Sequence, residues 1–278
     1  MEIVRTIADL RTAITGWRKR DLSVGLVPTM GGLHDGHLSL VRTAASNCDR
    51  VIATLFVNPT QFAPNEDFDS YPRDEVGDSK LFQGAGASLM FAPTPDVMYP
   101  EGHSTKVIVD GLGGILEGEF RPHFFIGVAT VVSKLLIQSL PDVAIFGEKD
   151  YQQLCVIRKM VRDMDIPVSI LGGATVREED GLAMSSRNTY LSAEERQVAP
   201  TLHQGLQTIA ETARNGGDIE AACAEAAEAL LNAGFEKVDY MTLRDPETLA
   251  PIDSFQGEGR VLGAAWLGKT RLIDNIAV

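Results

Sequence analysis

Two histidines three residues apart, His34 and His37, lie in the segment Pro28-Thr29-Met30-Gly31-Gly32-Leu33-His34-Asp35-Gly36-His37. Imidazoles at that spacing, on a glycine-rich turn that opens a helix, are close enough to converge on one anionic group. Glycines let the main chain approach a ligand, and the first turn of a helix offers unpaired N–H groups and the positive end of its dipole. Such donors suit charge that grows on a phosphate during nucleotidyl transfer, and a nearby triphosphate favours the imidazolium form of both rings. Taken alone, the same pair reads equally well as a cap on the helix.

Three further segments carry residues of the same usefulness. In Phe56-Val57-Asn58-Pro59-Thr60-Gln61-Phe62, the amides of Asn58 and Gln61 donate and accept, which suits a small hydroxy acid bearing a hydroxyl and a carboxylate. In Phe146-Gly147-Glu148-Lys149-Asp150-Tyr151-Gln152-Gln153, Lys149 offers an ammonium to a transferring phosphate, Asp150 a carboxylate to a ribose hydroxyl, and Gln153 an amide one turn on. In Gly181-Leu182-Ala183-Met184-Ser185-Ser186-Arg187-Asn188, two hydroxyls beside a guanidinium suit the embrace of a departing pyrophosphate. Each segment also has a plain reading: a strand-ending turn, a solvated helix start and an exposed polar linker.

The elements that must position these residues alternate along the chain. Leu22–Val27, Val51–Val57, Ala87–Phe91, Val107–Val109, Val143–Phe146 and Val168–Leu171 read as buried strands, and Ile126–Gln138 and Tyr151–Met164 carry helical apolar periodicity. Strands separated by helical crossovers imply an α/β fold with a Rossmann-like, doubly wound parallel sheet, whose ligands collect beyond the carboxyl ends of the strands. After about Val176 the pattern changes to helices over Ala193–Ala213 and Glu220–Ala233, followed by strands at Tyr240–Leu243, Arg260–Trp266 and Thr270–Asn275 with a hairpin at Leu267-Gly268-Lys269. The expected division is a catalytic domain over 1–176 and a smaller α+β domain over 177–278 that closes over the nucleotide as a lid.

Composition narrows the partners. The 278 residues are 44% apolar with a formal charge of −13 and no basic run, which argues against a nucleic-acid partner. Cys48, Cys155 and Cys223 are too scattered for a zinc site or a disulfide framework and read as reduced thiols. Charges through the first twenty residues break any signal-peptide core and no run reaches membrane-spanning length, so the cytoplasm is the expected compartment.

The four segments, in this order and at these separations, resemble the pantothenate synthetase family of the nucleotidyltransferase superfamily, whose core is similar to that of class I aminoacyl-tRNA synthetases. Tyr71-Pro72-Arg73, Leu116-Glu117-Gly118, Gly127-Val128-Ala129-Thr130-Val131-Val132 and the closing Ala264-Ala265-Trp266-Leu267-Gly268 with Arg271-Leu272-Ile273-Asp274-Asn275 extend the likeness over nearly the whole chain. The resemblance implies activation of pantoate by ATP as an adenylate, then attack by the amine of beta-alanine. It implies that Met30, His34, His37, Lys149, Asp150, Met184, Ser185, Ser186 and Arg187 serve ATP and the transition state, with Gly147 and Val176 lining the nucleotide site. It further implies pantoate held by Asn58, Gln61, Gln153 and Arg121, Mg2+ associated with Asp78, and a homodimer.

One departure is visible. Where the family usually reads Arg-Pro-x-His-Phe-x-Gly-Val, this chain has Arg121-Pro122-His123-Phe124-Phe125-Ile126-Gly127-Val128. The histidine stands one place early, and either His123 reaches the site through a backbone change or its contact is lost. Two other readings stay open: a plain nucleotidyltransferase that transfers AMP to phosphopantetheine or a mononucleotide and stops, and a nucleotide-binding regulator without turnover.

Overall fold

The computed structural model describes residues 1–64 and 66–278, and these fall into two compact units, Met1–Glu148 with Gln152–Ala174 and Lys149–Tyr151 with Thr175–Val278. The first unit holds β1 (Glu2–Val4), β2 (Val24–Thr29), β3 (Arg50–Leu55), β4 (Leu89–Phe91), β5 (Val143–Gly147) and β6 (Ser169–Gly173). They form a six-stranded parallel sheet in the order β1-β4-β3-β2-β5-β6. The chain steps outward from β2 through β3 to β4 and then returns to the other side of β2 as β5. The strand order therefore reverses between β2 and β5, and this is where doubly wound sheets place ligands.

Successive sheet residues enter different cores. Leu26, Ile52, Phe91 and Phe146 pack with Leu10, Ile14 and Trp17 of helix Ile7–Arg18 and with Val128, Val132 and Leu135 of helix Phe124–Ser139. Their neighbours Val27, Ala53, Met90 and Ile145 pack with Leu38 and Val41 of helix Asp35–Asn47 and Phe82 of helix Glu75–Ala85. A period of two between two apolar cores is what helices on both faces of a parallel sheet require. Burial of each large side chain contributes about 1.5–3 kcal/mol, which fixes the register on which the strand-end residues depend.

Two expectations are corrected here. Val107–Val109 is not a strand: the Val107 N–H donates to Thr130 Oγ1 at 3.0 Å, and Val107 and Val109 pack on the first core as irregular chain. The helix expected over Ala193–Ala213 is two, Ala193–Val198 and Thr201–Arg214, parted at Pro200, which has no N–H for an unbroken ladder. The edge strand β1 is an addition to the expected set, since three residues are too few to carry a readable pattern.

The second unit carries an antiparallel sheet of β7 (Lys237–Arg244), β8 (Arg260–Leu267) and β9 (Thr270–Ala277). β8 and β9 join through Gly268-Lys269, with Gly268 at φ 56°. Helices Thr201–Arg214 and Ile219–Ala233 lay Leu206, Ile209, Ala226 and Leu230 against Met241, Leu243, Val261 and Leu272. Among the described residues no helix is long and apolar enough to cross a membrane.

Candidate active site

The chain leaves β2 through a turn that only glycine can make. Gly31 and Gly32 have φ of 86° and 63°, and a Cβ on Gly31 would lie 2.7 Å from Leu55 Cδ1 and 2.9 Å from Asp78 Oδ2. Asp78, 3% exposed on helix Glu75–Ala85, holds the turn: its Oδ2 accepts from the Gly32 N–H and its Oδ1 from the Leu33 N–H, each at 3.2 Å. Burial pushes the Asp78 carboxyl up from its usual value, and the two N–H bonds offset only part of that rise. Each oxygen thus accepts one main-chain N–H, and among the described residues no group of three or more His, Cys, Asp or Glu gathers as a cation site. Asp78 anchors the turn that follows β2.

His34 and His37 open helix Asp35–Asn47 by capping it reciprocally. His34 Nδ1 accepts from the Gly36 N–H at 3.2 Å, His37 Nδ1 accepts from the His34 N–H at 3.4 Å, and the ring centroids lie 4.1 Å apart. Accepting these bonds uses the Nδ1 lone pair of each ring, the arrangement in which a neutral imidazole carries its proton on Nε2. Each ring thus turns its Nδ1 edge to the helix start, with Nε2 on the opposite edge. Capping and donation are not rival readings, because they use opposite edges of the same ring.

β3 ends beside the second segment, in which Asn58 caps the short turn Pro59–Gln61 and is 1% exposed. Helix Phe124–Ser139 packs on this turn, and the approach needs Gly127, whose Cβ would meet Thr60 O at 2.5 Å. Arg121, which the resemblance gives to pantoate, is also engaged within the protein. Its Nε and Nη2 grip Glu66 Oε1 and Oε2 at 2.7 and 2.6 Å, Nη2 also donates to Gln61 O at 3.2 Å, and the guanidinium lies 3.9 Å over the Phe124 ring. Arg121 thus ties Gln61 and Glu66 to the start of helix Phe124–Ser139, and Phe124, in the histidine's usual place, forms its floor. His123 caps no N–H, and its buried Nε2 has no hydrogen-bond partner among the described residues.

The pair with Glu66 gives a pH-dependent prediction. Burial pushes Glu66 up, but hydrogen bonding and charge from Arg121 outweigh it, so the folded carboxyl lies below its usual range. A depressed carboxyl stabilises the fold above its unfolded value, about 4.3, and loses that contribution as pH falls through the lower folded value. Urea unfolding at a series of pH values should show Glu66→Gln less stable by about 1–3 kcal/mol at neutral pH, with the gap closing below about pH 4. A gap unchanged down to about pH 2 would contradict the pairing.

β5 ends at Gly147, followed by Glu148, and the succeeding helix Tyr151–Asp163 carries the two adjacent glutamines. Gln152 is scaffold: its Nε2 donates to Leu112 O and Ile115 O, both at 2.7 Å, and its Oε1 accepts from the Glu117 N–H at 3.1 Å. Gln153 is half-buried and takes no part in that network.

In the second unit, Lys149–Tyr151 is held by main-chain and ring contacts. Asn275 Nδ2 donates to Lys149 O at 2.8 Å, Tyr151 Oη donates to Pro246 O at 3.0 Å, and the Arg260 guanidinium lies 4.0 Å over the Tyr151 ring. Lys149 and Asp150 are half-buried. Val176 and Met184 face each other, the Met184 N–H donating to Val176 O at 3.0 Å. The next residues form the turn Ser186–Tyr190, in which Ser185 Oγ accepts from the Arg187 N–H at 3.3 Å. This hairpin is tied to β9 by Arg177, which forks to Asp274 Oδ2 and Oδ1 at 2.6 and 2.9 Å and donates to Gly181 O at 3.0 Å. Sequence reasoning missed Arg177 and Asp274, which are 97 positions apart, and also Glu66 and Tyr99; the only local signal was a charged residue inside an otherwise apolar run at Asp274.

Known proteins match this chain over nearly its full length. The family model described as pantoate-beta-alanine ligase matches residues 2–277. Pantothenate synthetase of Rhodospirillum rubrum is 53% identical over 100% of this chain and 99% of its own length, and that of Caulobacter vibrioides 56% identical over 99% and 98%. Among solved structures, a pantothenate synthetase from Thermus thermophilus superposes with a TM-score of 0.94 at 48% identity, covering 99% of both chains. The pantoate-beta-alanine ligase of Francisella tularensis, complexed with beta-gamma ATP and beta-alanine, gives 0.84 at 33% identity, covering 99% of this chain and 97% of its own.

Proposed function

The chain belongs to the pantoate-beta-alanine ligase family, and on that premise we propose that its residues carry the ATP-dependent condensation of pantoate with beta-alanine as follows. A pantoate carboxylate oxygen attacks the α-phosphorus of ATP, the bond to the α–β bridging oxygen breaks, and pyrophosphate leaves. The amine of beta-alanine then attacks the acyl carbon of pantoyl adenylate, loses a proton, and displaces AMP to give pantothenate. No enzyme nucleophile is required, because the substrate carboxylate itself attacks phosphorus.

The observation that carries this reading is the reciprocal cap of His34 and His37 on the turn leaving β2, at the point where strand order reverses. Two Nε2–H donors fixed by their own helix start are ready for charge growing on a phosphate, with little reorganisation at the moment of reaction. From the first unit, Met30, Gly147 and the two histidines act on ATP, while Gln61 and Gln153 hold pantoate with Asn58 behind Gln61. From the second, Lys149, Ser185, Ser186 and Arg187 neutralise the phosphates, Asp150 takes the ribose, and Val176 and Met184 line the adenine. In chain order the proposed division is a catalytic part over 1–176 and a smaller part over 177–278, with Lys149–Tyr151 and residues 175–176 packing in the second unit. Mg2+ enters on the ATP phosphates, with no side chain among the described residues assigned to it. The working form is a cytoplasmic homodimer, which a sedimentation mass near the 30.1 kDa of one chain would contradict.

The test is an omission series with ATP, magnesium, pantoate and beta-alanine, following AMP, pyrophosphate and pantothenate together. Sustained AMP release should require both the acid and the amine, in equal amounts with pantothenate. AMP transfer to phosphopantetheine, or ATP binding with no product from the full mixture, would overturn the reading.

A further inference from the structure

Asn58 and Gln61 are not equivalent partners for a ligand. Asn58 spends every polar atom on the protein: Oδ1 accepts from the Thr60 N–H at 3.4 Å, from Thr60 Oγ1 at 3.0 Å and from Tyr99 Oη at 2.8 Å, while Nδ2 donates to Gly127 O at 3.3 Å and to Gln61 Oε1 at 2.8 Å. The Thr60 N–H can only donate and the Gly127 carbonyl can only accept, so these two main-chain groups fix which end of the Asn58 amide is which. Asn58 therefore presents N–H to Gln61, and Gln61 must answer with its carbonyl oxygen. What remains of Gln61 is Nε2, which makes no hydrogen bond among the described residues and is not one of the buried atoms left without a partner, so it reaches solvent.

Tyr99 holds the far end of this relay. Its ring is fixed edge-on by His103 at 5.1 Å and packs beside Phe56 at 6.2 Å, and its hydroxyl meets both Asn58 Oδ1 and Thr60 Oγ1. Its position, 41 residues beyond Asn58 at the end of a four-residue helix, gives no hint of this role in the sequence.

We propose that Tyr99 is a positioning residue for pantoate binding, acting through Asn58 to hold the Gln61 amide in the one orientation that offers N–H donors to an acceptor oxygen of the substrate. The inference rests on the reading of Gln61 as a pantoate ligand. A carboxylate oxygen facing a Gln61 that had turned over would meet a carbonyl oxygen, so losing the orientation converts attraction into repulsion. Only pantoate should sense this, because nothing in the relay reaches the residues assigned to ATP.

A double-mutant cycle with steady-state kinetics tests it. Tyr99→Phe keeps the ring and removes the donor, and it should raise KM for pantoate about three- to tenfold, the effect of losing one hydrogen bond, with KM for ATP unchanged. In a Gln61→Ala background the same substitution should have no further effect, since the group it orients is gone. Asn58→Asp, which removes the N–H that holds Gln61 Oε1, should raise KM for pantoate more than Tyr99→Phe does and should likewise lose its effect in Gln61→Ala. Thermal melts verify that each variant is folded. If Gln61→Ala raises KM for pantoate but the Tyr99→Phe and Asn58→Asp effects add to it undiminished, the relay is wrong while the pantoate reading stands. If Gln61→Ala leaves KM for pantoate unchanged, the pantoate reading itself fails, and the relay with it.

Discussion

Lys149→Ala should slow adenylate formation by about 100- to 1000-fold in a single-turnover measurement, the loss typical of removing one fixed donor from a site of developing charge. The expectation depends on separating the side chain of Lys149 from its main chain. The main chain is secured by Asn275 at the Lys149 carbonyl and by the packing of Tyr151 under Arg260, and alanine keeps both. The protein should therefore remain as stable as the parent within about 0.5 kcal/mol, as for most substitutions that disturb no packed or bonded group. A compact ammonium and a planar guanidinium are not equivalent donors, so Lys149→Arg should recover only part of the rate. A rate unchanged by Lys149→Ala would remove the lysine from the phosphate machinery, and a fall in melting temperature to match would mark the residue as structural.

The second large effect concerns stability. Arg177→Ala should cost about 3–5 kcal/mol, the penalty for leaving a buried charge without its partner. Asp274 is 4% exposed, and Arg177 meets it with a two-pronged contact while also holding Asn275 O and Gly181 O. Burial pushes Asp274 up, yet His203 and Arg177 outweigh it, so the carboxyl lies below its usual range. The sign follows: the contribution is present above the unfolded aspartate value of about 3.9 and disappears as pH falls through the lower folded value. Denaturant unfolding at neutral pH measures the loss, and repetition below about pH 3 should show parent and variant converging. Arg177→Ala should also depress turnover in molecules that remain folded, because the same guanidinium ties the hairpin leading to Ser185–Arg187 to β9. Normal stability in this variant would mean that the fork to Asp274 contributes nothing net.

What could be read from the chain divides along physical lines. Long apolar strands flanked by helical periods, such as Leu22–Val27 before the glycine turn and Val143–Phe146 before Gly147, identified the parallel sheet and the strand ends where chemistry collects, because burial writes itself into local periodicity. Val107–Val109 misled for the same reason: β-branched residues packed on a core look alike whether or not their main chain pairs with another strand. The two histidines were recognisable by type and spacing, but their ring protons were not, since those depend on the Gly36 and His34 N–H groups that the folded helix start presents. Gln152 and Gln153 are identical in type and adjacent, and only the 112–117 loop, distant in sequence, shows which is scaffold. Asp78 and Arg121 were given to ligands by the family resemblance, which carries residue types but not their partners in the fold. The fold adds internal partners that residue type does not show, main-chain N–H groups for one and Glu66 for the other. Charge alone does not say whether a group is spoken for.

All of these roles presuppose that the acid is activated by its own attack on phosphorus, and the path of one oxygen atom decides that. With pantoate carrying 18O in both carboxylate positions, turnover in ordinary water should deliver one labelled oxygen to AMP and leave one in the new amide carbonyl of pantothenate. Pyrophosphate should carry no label. AMP without label, or label in pyrophosphate, would mean that the carboxylate never bonded to the α-phosphorus, and the assignment of these side chains to an adenylate would be wrong.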